Sequence, residues 1–314
     1  MVRRREAAPE GDGLPPAHLR LGSPYDADAR WGGKKVGDQD VFWWGYKVHI
    51  SETCDDVPSS PAGPDQAAPA AQALRVITNV ATTHGGVIDN TMTGPIHDAL
   101  AAKGLTPARH YLDAGYPSAE HLVTARREHG ITIVAPMLAD ISAQARSGAG
   151  FARADFHIDF GTRTATCPVG AISATWTECV QKGTDKTVIT FSPADCRPCP
   201  SRPDCTRSIR ERRQITIGTR EAFEAQMSAR AAETDACWQQ DYKRRAGIEG
   251  TINQIGDIAG IRRARYRGLA KTHADHVAAA TAVNLIRWHA WTNSRLHGRT
   301  RTSHLTRLHA ALAT

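Results

Sequence analysis

The stretch ARHYLDAGYPSAEHL, residues 108–122, puts a carboxylate where an apolar strand runs out. His110-Tyr111-Leu112 reads as part of a short strand over 109–113 that delivers Asp113, and Ala114-Gly115-Tyr116-Pro117 then turns the chain. Ser118 is a helix cap, and the helix it opens is expected to run to His129 and stop at Gly130. An aspartate in such a turn ordinarily bonds its own backbone; the other reading is a side chain presented for chemistry. Working outward, "ITIVAP" (131–136) is a further strand, and residues 91–103 read as a helix ending near Gly104. Upstream, "VFWWGYKVHI" (41–50) alternates, with Phe42, Trp44, Tyr46, Val48 and Ile50 on one face and Lys47 and His49 on the other. "RVITNVATT" (75–83) pairs with it as a hairpin across a Pro-, Ala- and Ser-rich mobile loop at 55–72. Two antiparallel strands, then strands alternating with helices, predict an α/β chain built on a mixed sheet flanked by helices.

The chain has 314 residues, 41% apolar and 23% charged, which describes a globular protein with room for one large domain or two modest ones. Its formal net charge is +7, carried by 31 arginines against eight lysines. Guanidinium forks match phosphate oxygens bidentately, so this balance favours a polyanionic partner, although arginine-rich coding alone produces the same excess. No apolar run of signal-peptide length opens the chain, and residues 276–291 are interrupted by Asn284, Arg287 and His289. A soluble protein with no membrane partner, cytoplasmic and nucleoid-associated, is expected.

Between 141 and 220 the pattern becomes short, irregular and β-like, which marks an inserted subdomain. The cysteines gather there. Cys196-x2-Cys199-x5-Cys205 and Cys167 supply four thiolates, a set suited to a tetrahedral structural Zn²⁺. A small insertion with little core of its own gains most from such a staple; four reduced thiols are the alternative. Cys54, Cys179 and Cys237 are expected to bind nothing.

From Thr219 the pattern is helical to about Ile258, and a final amphipathic helix is expected over 272–291. In "QQDYKRRAGIEGTINQI" (239–255), Tyr242, Arg245 and Glu249 follow at helical spacing and share a face. Glycines at 247 and 250 bracket the glutamate at a helix cost of about 1 kcal/mol each. Something is expected to approach the backbone there. The segment "GIRRARYRGLAKTH" sets Arg262, Arg263, Arg265, Arg267 and Lys271 around Tyr266, five cations within ten residues. That density would neutralise several phosphates.

In these motifs the chain resembles the DDE transposases of bacterial insertion sequences. The resemblance rests on "YLDAGY" around Asp113, on Tyr-x2-Arg-x3-Glu at 242, 245 and 249, and on the run from "SPYDADARWG" to "GYKVH", and it covers about residues 23–292. It implies a ribonuclease H-like sheet, with the Cys-rich subdomain inserted before the Glu-bearing helix. Asp113 and Glu249 are then catalytic and hold Mg²⁺ or Mn²⁺, while Tyr242 and Arg245 assist at the DNA. The implied partners are element ends and target DNA, with a homo-oligomer forming on the DNA. Two departures stand out. The family's first catalytic strand is not found ahead of Ser23, so the chain reads as a truncated or split copy with impaired catalysis. Asp26, Asp28 and Asp40 follow where that strand would lie and are poor substitutes for its aspartate. Where the family often has a lysine seven residues after the glutamate, this chain has Gly256; Arg262 and Arg263 are candidates for that phosphate contact. The expected organisation is an arm (1–22), a first core part (23–140), the insertion (141–220), a helical second part (221–292) and a tail (293–314). A non-catalytic DNA-binding remnant and a metal-dependent nuclease of the same fold are the competing readings.

Overall fold

The computed structural model describes residues 22–54 and 74–293. The expected arm (but for Gly22), the whole of the 55–72 loop and the tail beyond Asn293 lie outside the described residues. In chain order the elements are β1 Arg30–Val36, β2 Gln39–Glu52, β3 Ile77–His84, α1 Thr93–Ala102, β4 Arg109–Tyr111, α2 Ala119–His129 and β5 Thr132–Val134. Then come α3 Ala143–Ser147, β6 His157–Asp159, β7 Thr164–Thr166, β8 Thr175–Gln181, β9 Thr184–Thr190, α4 Pro193–Cys196, α5 Arg202–Cys205 and β10 Gln214–Ile217. Four helices close the described chain: α6 Arg220–Ala232, α7 Ala236–Tyr242, α8 Gly247–Ala259 and α9 Leu269–Thr292. The α/β class is as expected. The chain divides into two compact units, one of Met1–Ile88 with Arg244–Thr314 and one of Asp89–Lys243.

Among the described residues, the strands do not form the one mixed sheet expected. They form separate sheets in the orders β1-β2-β3, β10-β9-β8, β4-β5 and β6-β7. In the first unit, β2 is flanked on both edges. Its first half, Gln39–Gly45, pairs antiparallel with β1, and its second half, from Tyr46, pairs antiparallel with β3. Gly45 stands at the handover with φ +142, a conformation a side chain would strain. The two halves of β2 meet different surroundings, which overturns the single apolar face read from the alternation. Phe42 and Trp44 are exposed, and Trp31 of β1 stacks on Phe42 at 5.1 Å and meets Trp44 edge-on at 5.0 Å. His49, expected on the polar face, is buried against Thr83 Oγ1 at 3.1 Å.

Helices α8 and α9 pack on the second half of this sheet around Ile77, Ile255, Ala279, Ala280 and Val283, with Ile50 and Val80 beside them. Along α9 the buried side chains Thr272, His276, Ala279, Ala280, Val283 and Arg287 recur at helical spacing, while Leu285, Trp288 and Trp291 are exposed. The buried stripe therefore carries polar groups, each with a partner. Thr82 Oγ1 meets His276 Nδ1 at 2.9 Å, and the Asn284 amide exchanges two bonds with the backbone of Ile77, at 2.8 and 2.9 Å.

In the second unit, β4 and β5 pair in parallel, with α2 between them in sequence. The limits of α2 follow local rules. Ser118 Oγ accepts from His121 N–H, and Gly130 ends the helix in the left-handed conformation at φ +69. The segment expected as an irregular insertion builds its own core of Phe156, Ala165, Ile189, Phe191, Ile215 and Ile217 across β6–β10. The helix expected to continue from Thr219 is in fact α6, α7 and α8. Asp235 caps the start of α7 through a 2.7 Å bond to Cys237 N–H, and a 3₁₀ turn, Lys243–Ala246, precedes α8. Among the described residues, no helix is long and apolar enough to cross a membrane.

Candidate functional site

In the Asp89–Lys243 unit, Asp113 is exposed, two residues past the end of β4, and is placed by bonds on either side of it. Leu112 N–H bonds the carbonyl of Val134 at 3.1 Å, which extends the β4–β5 pairing to the residue before the carboxylate. Tyr116 N–H returns to the carbonyl of Asp113 at 3.0 Å and closes the turn, while Asp113 Oδ1 accepts from Ala114 N–H at 2.8 Å. The ordinary turn role is therefore real, and the residue that plays it is exposed. Helix α7 braces the strand. The Tyr242 hydroxyl donates to the Leu112 carbonyl at 3.1 Å, and its ring stacks on Trp238 with centroids 5.1 Å apart. Asp241 accepts from the Tyr111 hydroxyl at 2.9 Å and pairs with Arg109 at 2.9 Å. Asp241 escaped the sequence reading because nothing local distinguishes it from a solvated helix charge.

Behind the same strand, His110 of β4 and His97 of α1 share a hydrogen bond, Nε2 of His97 to Nδ1 of His110 at 2.9 Å. One ring nitrogen must donate and the other accept, so the two rings cannot both be cations while they share it. Burial, then the charges of His129 and His121, push His97 down to about 4; burial, then His97, pushes His110 down to about 4.

In the other unit, Glu249 lies in the first turn of α8, where the helix dipole favours a carboxylate. Arg245 Nη1 reaches Glu249 Oε1 at 3.2 Å, and the glutamate side chain remains 66% exposed. Tyr242 ends α7 and Arg245 sits in the 3₁₀ turn, so the three signature residues belong to successive elements rather than one straight helix. Of the two flanking glycines, only Gly247 is approached: the Arg75 guanidinium occupies the space a Cβ would need, whereas Gly250 faces open space. Helix α8 is anchored underneath by an ion pair between Arg287 and Glu52 at 3.1 Å, with side chains only 7% and 5% exposed. Thr251 donates to Glu52 at 2.5 Å, and Gln254 accepts from Arg287 Nε at 3.0 Å. Nothing in the local pattern announces this network, whose members lie up to 235 residues apart.

The basic segment after α8 is exposed, but not all of its arginines are idle. Arg262 folds back along the helix, with Nη2 bonding Asn253 Oδ1 at 2.8 Å and Nε 3.1 Å from the point where a Cβ on Gly256 would stand. Arg265 bonds the Ala259 carbonyl at 2.8 Å and so caps α8, and the Arg267 guanidinium lies 5.6 Å from the centre of the Tyr25 ring. Arg263 and Lys271 are exposed.

Asp26 and Asp28 are engaged structurally. Asp26 accepts from the Tyr46 hydroxyl at 2.7 Å and from Gly268 N–H at 3.2 Å, and Asp28 accepts from Leu269 N–H at 2.8 Å at the start of α9. Burial works against the Asp26 charge, but Tyr46 and the N–H groups of Asp28, Gly268 and Ala29 leave its carboxyl below the usual aspartate value. Asp40 is exposed beside the β1–β2 turn, opposite Lys35.

Cys167, Cys196, Cys199 and Cys205 line one cavity together with Arg213, within the Asp89–Lys243 unit. Burial pushes the Cys205 thiol up, Arg213 opposes this, and the thiols of Cys196, Cys167 and Cys199 add to it. Burial likewise lowers Arg213, against Cys205 and Asp140. Among the described residues, no group of three or more His, Cys, Asp and Glu side chains is disposed to hold a metal ion as it stands. None of the seven cysteines, all of which lie among the described residues, is in a disulfide, and Cys54, Cys179 and Cys237 do not line this cavity.

Residues 166–289 match the family described as "Transposase DDE domain", a span that takes in the Cys-rich segment, Tyr242, Arg245, Glu249 and the basic segment. This bears out the resemblance to DDE transposases. No curated protein and no solved structure matches the chain.

Proposed function

On the strength of that family match, we propose that the chain is the catalytic part of a DDE transposase with a ribonuclease H-like core, which cleaves and rejoins DNA strands. The observation that carries this reading is the Tyr242–Arg245–Glu249 signature inside the matched span, with Glu249 presented at a helix start and partly exposed. Asp113 and Glu249 are the two assigned catalytic carboxylates, and they lie in different units of the chain. Oxygen donors of this kind fit a hard cation, so Mg²⁺ or Mn²⁺ is the cofactor they would hold. When bound, such ions stabilise charge on the attacking and leaving oxygens of a phosphodiester.

The protein's own groups do the rest. Tyr242 fixes the backbone that leads to Asp113. Arg245 orients the Glu249 carboxylate and brings positive charge to the phosphate. Arg262, lying over Gly256, occupies the position seven residues past Glu249 and supplies a guanidinium for a DNA phosphate. Arg263, Arg265, Arg267 and Lys271 extend the basic surface along the duplex. DNA ends and target are the partners, as for an insertion-sequence enzyme working at the nucleoid, and a homo-oligomer would assemble on them. A third carboxylate is not assigned, because Asp26 and Asp28 are spent on Tyr46 and on α9.

Calorimetric titration with Mn²⁺, in the presence of a DNA duplex, tests the reading. Saturable binding that disappears in Asp113→Ala and in Glu249→Gln, together with metal-dependent nicking of the duplex, is expected. Binding of DNA with no metal uptake in either the parent or the variants would favour a non-catalytic remnant.

A further inference from the structure

The cavity among the cysteines belongs to no part of the strand-transfer machinery, and its lining has one unusual member. Arg213 is only 9% exposed. Its Nη1 bonds the Cys205 carbonyl at 2.9 Å and its Nη2 the Phe151 carbonyl at 3.2 Å, while the guanidinium lies 5.3 Å from the centre of the Phe156 ring. Its Nε is buried with no hydrogen-bond partner. Among the described residues, no carboxylate forms an ion pair with it. A buried cation is costly to hold, and Asp140 acts on it without forming an ion pair, so negative charge from the cavity it lines would stabilise it.

The four thiols are that charge in latent form. Cys167 lies in a tight turn: Gly170 N–H bonds its carbonyl at 2.8 Å, and Ala171 N–H points at its sulfur at 3.2 Å. Gly170, at φ +93, is what lets this turn close. Cys196 ends α4, Cys205 ends α5, and Cys199 lies between these two short helices, its N–H on the Cys196 carbonyl at 3.3 Å. Cys167, Cys196 and Cys205 also pack against the core of this segment.

We propose that Cys167, Cys196, Cys199 and Cys205 bind a structural Zn²⁺ as four thiolates, and that Arg213 is the buried cation balancing the net negative charge of that complex. Sulfur ligands select a soft or borderline ion over Mg²⁺ or Ca²⁺, and four of them make a closed site with no open position for catalysis. Binding releases the four thiol protons to solvent. The four thiols line one cavity but are not disposed around one point as they stand, so binding the ion requires them to rearrange. The ion would tie α4 and α5 to the end of β7, joining loops that otherwise rest on a core of six buried residues. The proposal stands apart from strand transfer and fails or survives separately from it.

The test is elemental analysis of the untagged full chain, purified without chelator. One zinc per chain is expected, released in step with mercurial titration of thiols. Replacement by Co²⁺ should give a thiolate-to-cobalt charge-transfer band, and Cys54, Cys179 and Cys237 should be the only thiols to react quickly in the native protein. Cys199→Ser should lose the metal. Arg213→Met, which keeps the volume and removes the charge, should weaken zinc affinity about 10–100-fold, as loss of a supporting group around a metal site does. If the cysteine variant fails to fold, the parent's zinc content and cobalt spectrum decide. A folded parent that carries no zinc and takes up none, iron in place of zinc, or unchanged affinity in Arg213→Met would overturn the proposal.

Discussion

The guanidinium of Arg262 lies over Gly256, its Nε 3.1 Å from the position a Cβ would take, with Asn253 holding it there at 2.8 Å. Glu249, Asn253 and Gly256 are spaced by four and three residues, so the arginine is laid along the face of α8 that carries the glutamate. An unbranched backbone position makes room for the borrowed side chain.

Arg262→Ala is therefore expected to weaken duplex binding and to reduce the slope of log affinity against log salt by about one, the signature of one lost phosphate contact. Gly256→Leu should do nearly the same with Arg262 intact, by displacing its guanidinium. Fluorescence anisotropy across a salt series checks both; a slope untouched in both variants would remove Arg262 from the DNA surface.

Glu52 and Arg287 form a pair that is almost fully buried beneath α8. Arg287→Ala leaves a carboxylate stranded and is expected to cost about 3–5 kcal/mol, whereas Glu52→Leu combined with Arg287→Met should recover much of that loss. Urea denaturation of the parent, both single variants and the double variant measures the coupling. Additive losses would mean that the two side chains do not act as a pair.

His97 and His110 are both held near 4, below the value an unfolded histidine would have. The unfolded chain then binds more protons, so the stability they contribute is complete above about pH 6.5 and drains away as pH falls towards 4. His121 and His129 add to the depression of His97 and Asp98 opposes it. Melting temperature should fall over that window in the parent, and the fall should be shallower in a His97→Asn/His110→Asn double variant. An equally steep fall in both would assign the acid sensitivity to other groups.

What the sequence could determine was what neighbours in the chain decide. The cap at Ser118, the left-handed stop at Gly130 and the clustering of four cysteines are rules that act within a few residues, and each stands where the pattern put it. The Tyr–Arg–Glu spacing was legible for the same reason, although the 3₁₀ turn at Lys243–Ala246 that divides its helix was not. Tertiary structure decided everything that depends on a distant partner. Alternation along β2 cannot say that its first half meets β1 and leaves Phe42 and Trp44 exposed while its second half meets β3 and buries His49. Polar residues on α9 became interior because Glu52, Thr82 and the Ile77 backbone, all far away in sequence, satisfy them. A buried charge or amide is stable only beside its complement, and which complement arrives is settled by the fold rather than by the period of the chain.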